Sequence, residues 1–198
     1  MLHFLTFRLQ WDLPSWLKKY ELSLKDEVFS TDEEMMDVAI KISAMNVKEN
    51  TGGPFGCAIF EKDDATGKAA LFSVGCNRVV SCSNSTLHGE MTALQIAEKK
   101  LKSFSLREAK KGKKYIMCTS CEPCAMCLGA TFWAAPAEMH CSATKDDAES
   151  IGFDEGPVFP ESYVKLEASG CKVKKNILRA EGAQVLNDYA KGGPIYQG

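Results

Sequence analysis

The sequence predicts an α/β protein with three layers, α/β/α, in which helices cover both faces of a mixed, roughly five-stranded sheet. Three observations lead to this prediction. Short apolar runs alternate along the chain with segments whose apolar residues recur at helical spacing. Turn-forming residues separate these two kinds of segment. With 198 residues, of which 45% are hydrophobic, the chain can form one domain with a sizeable core.

Caps and turns indicate where each element begins and ends. Thr31 and Glu34 form a capping-box pattern, which predicts a helix that runs to about residue 49 and stops at Gly-Gly-Pro54. Pro123 suits the first residue of a later helix, because that position needs no N–H donor. The predicted strands are 55–61, 69–75, 114–119, 138–142 and 171–177. The further predicted helices are 88–101, 123–134, 145–150, 161–169 and 179–191.

Residues 1–30 are predicted to be an N-terminal extension of a single domain that spans residues 31–198. Trp11 and Trp16 in this extension need burial, either against the domain or against a partner, and Pro14 suits the start of a short helix. We find no internal repeat and no low-complexity segment.

The charge balance and the cysteines limit the classes of function that the chain can have. A net charge of −2 gives no general attraction to nucleic acid. The lysine-rich run 99–114 is better explained as a solvated helix end and loop than as a phosphate-binding surface. No apolar run approaches the roughly 18 residues of a membrane span. Nine cysteines without a secretory signal indicate reduced thiols, and hence a cytoplasmic protein.

Two short motifs carry the chemistry of the chain. Thr-Leu-His88-Gly-Glu90 is followed by Cys121-Glu-Pro-Cys124-Ala-Met-Cys127. One imidazole and two thiolates, from His88, Cys124 and Cys127, give Zn²⁺ three protein ligands and leave one position for water. A metal-bound water loses a proton near neutral pH, and Glu90 is placed to move protons without binding the metal. The pattern therefore predicts a catalytic zinc site.

Other interpretations of the cysteine motif are an iron–sulfur cluster and a closed structural zinc site. A ferredoxin-type run needs a further Cys-Pro four residues on, where Thr131 and Phe132 stand. A closed zinc site needs a fourth Cys or His and has no use for Glu90. Cys121 precedes Pro123, outside the predicted helix, and we expect its thiol to point away from the metal.

These motifs resemble the cytidine/deoxycytidylate-type zinc deaminases over residues 34–155. The H-x-E…P-C-x-x-C pattern is the signature of that group. Within it, the chain is most similar to guanine deaminases, in the segments Gly-Gly-Pro-Phe-Gly56, Thr-Ser-Cys-Glu-Pro-Cys-Ala-Met-Cys-Leu-Gly-Ala130 and Gly-Phe-Asp-Glu155. The resemblance implies a cytidine deaminase-like fold, a zinc cofactor and a homodimer. It also implies four substrate-binding residues: Asn77, Trp133, Asp154 and Glu155.

The implied reaction is hydrolytic deamination of a free nucleobase, foremost guanine to xanthine and ammonia, with Glu90 as the proton carrier. An acidic residue suits guanine, because one edge of the base carries N–H donors. Two departures leave alternatives open. Gly89 stands where guanine deaminases usually carry Ala, and Thr-Leu-His-Gly-Glu is similar to fungal cytosine deaminase. Glu155 stands where guanine deaminases usually have Asp. The alternatives are cytosine or a related aminopyrimidine or triazine, wobble adenosine in tRNA, a non-catalytic zinc module, and a nucleic-acid binder that uses residues 99–114.

Overall fold

A computed structural model describes residues 11–196 of the chain. The eight helices of the described residues are α1 (Ser15–Ser23), α2 (Asp32–Lys48), α3 (Val79–Cys82), α4 (Gly89–Leu101), α5 (Ala125–Ala134), α6 (Lys145–Ser150), α7 (Pro160–Ala168) and α8 (Arg179–Ala190). The five strands are β1 (Gly56–Asp63), β2 (Ala69–Cys76), β3 (Lys113–Cys121), β4 (Glu138–Ala143) and β5 (Lys172–Lys174). A single 3₁₀ turn, Leu106–Glu108, precedes β3.

The strands form one mixed sheet in the order β2-β1-β3-β4-β5. β1 pairs antiparallel with both β2 and β3, whereas β3, β4 and β5 run parallel. Helices α1, α2 and α8 pack on one face of the sheet, and α4 and α5 lie on the other. The three-layer α/β/α prediction with a five-stranded mixed sheet is confirmed.

The predicted capping box begins α2 as expected. Thr31 accepts a hydrogen bond from the Glu34 N–H, and Glu34 accepts one from the Thr31 N–H in return. Two elements differ from the sequence prediction. The one-turn helix α3 lies between the predicted strand 69–75 and the predicted helix 88–101, where the sequence predicts no element. The last strand is only three residues long, Lys172–Lys174, and Asn176 just beyond it has a φ of 64°, in the left-handed region.

The described part of the N-terminal extension packs on the same core as the sheet. Leu17 of α1 is fully buried in the cluster beneath α2. Trp11 Nε1 donates to Gln95 Oε1 at 3.1 Å, and Trp16 Nε1 donates to Thr51 Oγ1 at 2.9 Å. The prediction for residues 1–10 lies outside the described residues. None of the helices between residues 11 and 196 is both long and apolar enough to cross a membrane.

Gly75 in β2 allows α4 to approach the sheet closely. A Cβ atom at this position would lie 2.2 Å from the carbonyl oxygen of Gly89 and 2.4 Å from the nitrogen of Ala93. Any larger residue would therefore push the first turn of α4 away from the sheet. This close approach sets the distance between the sheet and the His-Gly-Glu motif at the start of α4.

Candidate active site

The two sequence motifs meet at the N-termini of α4 and α5. His88 immediately precedes α4, Cys124 immediately precedes α5, and Cys127 lies in the first turns of α5. Their ligand atoms all lie within 4.8 Å of one another, and His88 Nδ1 is 3.6 Å from Cys124 Sγ. Both helices direct free N–H groups and the positive ends of their dipoles to this point, which favours anionic ligands.

The prediction that Pro123 begins the second helix is wrong by two residues. Helix α5 begins at Ala125, and Cys124 precedes it with extended backbone angles (φ −64°, ψ 172°). The two thiols therefore do not share a regular helical face. Cys124 approaches His88 from the strand-to-helix turn, while Cys127 approaches from the helix itself. Both sulfur atoms nevertheless lie close to the His88 ring, so these three residues could hold a metal ion.

The two thiols differ in their affinity for a proton. Interactions with the neighbouring Cys127 and His88 side chains hold the pKa of the Cys124 thiol at about 4, despite burial. The neighbouring Cys124 thiolate, together with burial, raises the pKa of Cys127 well above its usual value. A divalent cation would replace the proton that Cys127 keeps. One imidazole and two thiols suit Zn²⁺, and no fourth His, Cys, Asp or Glu joins the cluster among residues 11–196.

Cys121 lies outside the metal cluster. Its Sγ donates to the carbonyl oxygen of Thr144 at 3.4 Å. The remaining strand cysteines, Cys57, Cys76, Cys118 and Cys141, are buried in the core as the apolar pattern predicts. His140 is also buried, and its Nε2 lies 3.0 Å from Glu138 Oε2. These residues stabilise the fold and do not extend the site.

Glu90 stands beside the metal cluster without belonging to it. It is 6% exposed. Its Oε1 accepts a hydrogen bond from Thr119 Oγ1 at 2.9 Å, and its Oε2 accepts one from Cys127 Sγ at 3.4 Å. Burial raises the pKa of the Glu90 carboxyl above its usual value. A carboxyl group that is buried next to a metal site is suited to receive and return a proton.

Asn77 brings an unpaired donor into the pocket. Its side chain is 1% exposed, and its Oδ1 accepts a hydrogen bond from the Val79 N–H at 3.2 Å. Its Nδ2 has no partner among the described residues, although it is buried and Asn77 lines the pocket with His88 and Glu90. A buried amide donor without a partner is costly. A bound ligand with an acceptor atom at this place would satisfy it.

The two acidic residues of the Gly-Phe-Asp-Glu155 segment have different roles in the structure. Glu155 is 7% exposed, and burial raises the pKa of its carboxyl to about 8. Asp154 is exposed, and its Oδ1 accepts a hydrogen bond from the Gly156 N–H at 2.8 Å. Both line the pocket, but Asp154 serves the turn, whereas Glu155 is desolvated next to the metal cluster.

The C-terminal tail and two phenylalanine rings that the sequence predictions did not include complete the pocket. Phe55 and Phe153 meet edge to face, with ring centroids 4.9 Å apart. Tyr196 of the tail packs on Phe153 at 5.4 Å and also lines the pocket. Phe55 and Phe153 lie inside segments on which the family resemblance rests, so the sequence already contained a signal for aromatic residues at the pocket. Glu122, which also lines the pocket, pairs with Lys175 at 2.8 Å.

Contrary to the expectation that it lines the substrate site, Trp133 does not reach the pocket of its own chain. Its side chain is 76% exposed on α5 and packs against Phe132. Trp133 follows Cys127 by six residues, which is about 240° around the helix axis. The two side chains therefore leave α5 in different directions, and a residue that follows the metal motif does not need to face the metal.

Comparison with known proteins identifies the family. The profile of the cytidine and deoxycytidylate deaminase zinc-binding region matches residues 29–143, which include His88, Glu90, Cys124 and Cys127. The chain belongs to this deaminase family. The match and the geometry agree, because the motifs that define the zinc-binding region are those that meet at the two helix N-termini.

Within the deaminase family, several of the most similar proteins are guanine deaminases. The guanine deaminase of Bacillus subtilis strain 168 is 36% identical over 129 residues, which are 65% of this chain and 75% of the relative. The solved structure of the guanine deaminase of Nitrosomonas europaea is 32% identical in sequence to this chain. The alignment covers 93% of this chain and 97% of the relative, with a TM-score of 0.80. A mutant protein crystallised with 8-azaguanine is 34% identical to this chain. The alignment covers 93% of this chain and 98% of the mutant protein, with a TM-score of 0.81.

We expect this deaminase to bind one zinc ion per chain when it is purified in the presence of zinc, and elemental analysis measures the zinc content. Cys127→Ala removes one of three ligands and should lower the zinc content to less than about a tenth, because two ligands bind zinc weakly. Cys121→Ala is the matched control, since it removes a buried thiol that lies outside the cluster and should leave the zinc content unchanged. Loss of zinc from Cys121→Ala would show that the ligand assignment is wrong.

Proposed function

We propose that this deaminase converts guanine and water to xanthine and ammonia. One observation carries the proposal: a buried, unpaired amide donor on Asn77 and a buried carboxyl group on Glu155 face one pocket beside the metal cluster. The guanine deaminases among its relatives support the same substrate.

The polar groups of the pocket are complementary to guanine. The base carries carbonyl and ring-nitrogen acceptors on one side and N–H donors on another. Asn77 Nδ2 would donate to an acceptor, and Glu155 would accept from a ring or amino N–H. Phe55 and Phe153 provide apolar surfaces for a planar ring. A base that lacks either kind of group would leave a buried polar side chain unpaired, at a cost of about 1–3 kcal/mol.

In the reaction, the chain's own residues position the base and move protons. His88, Cys124 and Cys127 would hold zinc, which when bound supplies the Lewis acidity that makes water a nucleophile near neutral pH. Glu90 accepts the proton that water loses and transfers it to the ring nitrogen next to C2. The same carboxyl group then receives the second proton of the water and delivers it to the departing amine. The products are xanthine and ammonia, so the atoms of guanine and water balance.

We also place the protein in the cytoplasm and treat residues 1–30 as an extension of one catalytic domain, residues 31–198. All nine cysteines are free, as is usual where glutathione keeps thiols reduced. The small-molecule substrate agrees with the net charge of −2, which does not favour RNA.

We propose that two copies of the chain pair through α5. Residues 123–137 contain no charged side chain. Met126, Gly129, Ala130 and Trp133 form a stripe at helical spacing whose members are half-buried or exposed. A Cβ atom on Gly129 would meet nothing within 4 Å, so another helix can approach closely. Antiparallel pairing of two such helices would cover both ends of each stripe, as a two-fold symmetric interface requires.

The substrate proposal is tested by ammonia release from zinc-loaded protein with guanine, guanosine, cytosine, cytidine, adenine and an aminotriazine. We expect turnover of guanine. Glu90→Gln should lower kcat by about 10²–10⁴-fold while zinc remains bound, because general acid–base catalysis is lost. Glu98→Gln, on the same helix, is the matched control and should keep full activity. Turnover of cytosine alone would contradict guanine as the substrate, and full activity of Glu90→Gln would contradict the mechanism.

Recognition of the base is tested by comparing two neighbouring carboxylates. Glu155→Gln replaces the buried carboxyl group with an amide and should lower kcat/KM for guanine by about 10–10²-fold, because a buried polar group that loses its partner costs about 1–3 kcal/mol. Asp154→Asn removes the adjacent carboxylate, which is exposed and bonded within its own turn, and should change kcat/KM less than twofold. Equal losses in both variants would mean that the local charge matters and the contact with the base does not.

The dimer proposal is tested by light scattering coupled to gel filtration. We expect a mass twice that of the 21.7 kDa chain. Trp133→Glu places a charge in the apolar stripe and should give monomers, because an unpaired buried charge is costly at an interface. Leu22→Glu changes an equally exposed apolar residue on the opposite face of the sheet and should leave the mass unchanged. A monomeric wild-type chain, or a dimer with Trp133→Glu, would exclude this interface.

A further inference from the structure

Thr119 connects the central strand of the sheet to the carboxyl group of Glu90. It lies near the end of β3 and is 2% exposed. Its Oγ1 donates to Glu90 Oε1 at 2.9 Å. The family resemblance includes Thr119 as the first residue of the segment that ends at Ala130 but assigns it no role, and Thr119 itself belongs neither to the metal cluster nor to the pocket lining.

The sheet register explains why the Thr119 hydroxyl proton goes to Glu90. Cys57 of β1 and Cys141 of β4 lie directly beside Thr119 on the two neighbouring strands. Directly paired residues point to the same face of a sheet, which here is the face that carries α4. Burial raises the pKa of both thiols well above the usual value, so they stay neutral and are weak acceptors. The carboxyl oxygen of Glu90 is the strong acceptor on this face.

The two oxygens of Glu90 are therefore in different positions. Oε1 is held on the side of the sheet by Thr119, while Oε2 lies on the metal side, 3.4 Å from Cys127 Sγ. Rotation of the carboxyl group about its last torsion would exchange the two oxygens. Such a torsion is broad when no neighbour restrains it. A hydrogen bond from a rigid, buried strand restrains it.

We propose that Thr119 is a positioning residue for the reaction, which holds Glu90 so that Oε2 is the oxygen that carries the proton. The inference rests on the proposed function of Glu90 as proton carrier. On this proposal, the sheet controls the orientation of the Glu90 carboxyl group through the Thr119 hydroxyl group. Small errors in the orientation of a catalytic group cost large factors in rate, which is why a remote hydroxyl matters.

The first test uses Thr119→Val, which has nearly the same shape but no donor, and Thr119→Ser, which keeps the donor. We expect Thr119→Val to lower kcat at least 10-fold with KM and zinc content unchanged, since the base-binding groups are not touched. Thr119→Ser should restore kcat to within about threefold of wild type. If Thr119→Val keeps full kcat, or if Thr119→Ser is as slow as Thr119→Val, the inference is wrong.

The matched control is Ser73→Ala. Ser73 of β2 is also a buried strand hydroxyl, and its Oγ also donates to α4, at the carbonyl oxygen of Ala93 at 3.0 Å. If Thr119 only fastened α4 to the sheet, Ser73→Ala would lower kcat as much as Thr119→Val does. We expect Ser73→Ala to keep kcat within about twofold. Equal losses of kcat in the two variants would overturn the positioning role.

A readout without activity separates this inference from the proposed function. In a crystal structure of Thr119→Val, we expect the Glu90 carboxyl group to leave its present orientation or to adopt two conformers, while His88, Cys124 and Cys127 stay in place. In Ser73→Ala, Glu90 should not move. An unchanged Glu90 in Thr119→Val would overturn the inference even if guanine is the substrate. A displaced Glu90 supports it even if another base proves to be the substrate.

Discussion

The active site depends on the meeting of two helix N-termini over one point. Helices α4 and α5 begin there, and each is preceded by a residue that we propose as a metal ligand, His88 before α4 and Cys124 before α5. Free N–H groups and helix dipoles favour the thiolate form of the ligands, which zinc requires. The meeting point exists only because Gly75 lets α4 approach the sheet and because the parallel strands β3 and β4 hold the turn before α5.

The polar groups around this point differ in their burial and in their hydrogen-bond partners. Asp154 is bonded within its own turn, whereas Glu155 is desolvated in the pocket. One end of the Asn77 amide is used by the backbone of Val79, and the other end has no partner among the described residues. The Ala125 N–H, at the start of α5, donates to the Glu155 carbonyl oxygen at 2.9 Å. The recognition segment and the metal turn are therefore joined by the backbone.

Much of this arrangement could be predicted from the sequence, because caps and spacings act over a few residues. The capping box at Thr31 and the His-x-Glu and Cys-x-x-Cys motifs are local patterns with a direct physical meaning. The errors arose where distant parts of the chain decide. Pro123 suits a helix start, but the helix begins two residues later, where the strand-to-helix turn delivers Cys124 to His88. Trp133 was assigned to the pocket by resemblance, yet its position on α5 turns it outward.

By itself, the sequence determined the family of chemistry, since no other common site needs an imidazole, two thiolates and a nearby carboxyl group in this order. It also determined the alternation of helices and strands that makes the three layers. Only the tertiary structure decided which acidic residue is buried, which end of Asn77 lacks a partner, and that Thr119 reaches Glu90 from a strand. The physical reason is that burial and hydrogen-bond partners depend on distances through space, between residues such as 90 and 119 that are remote along the chain.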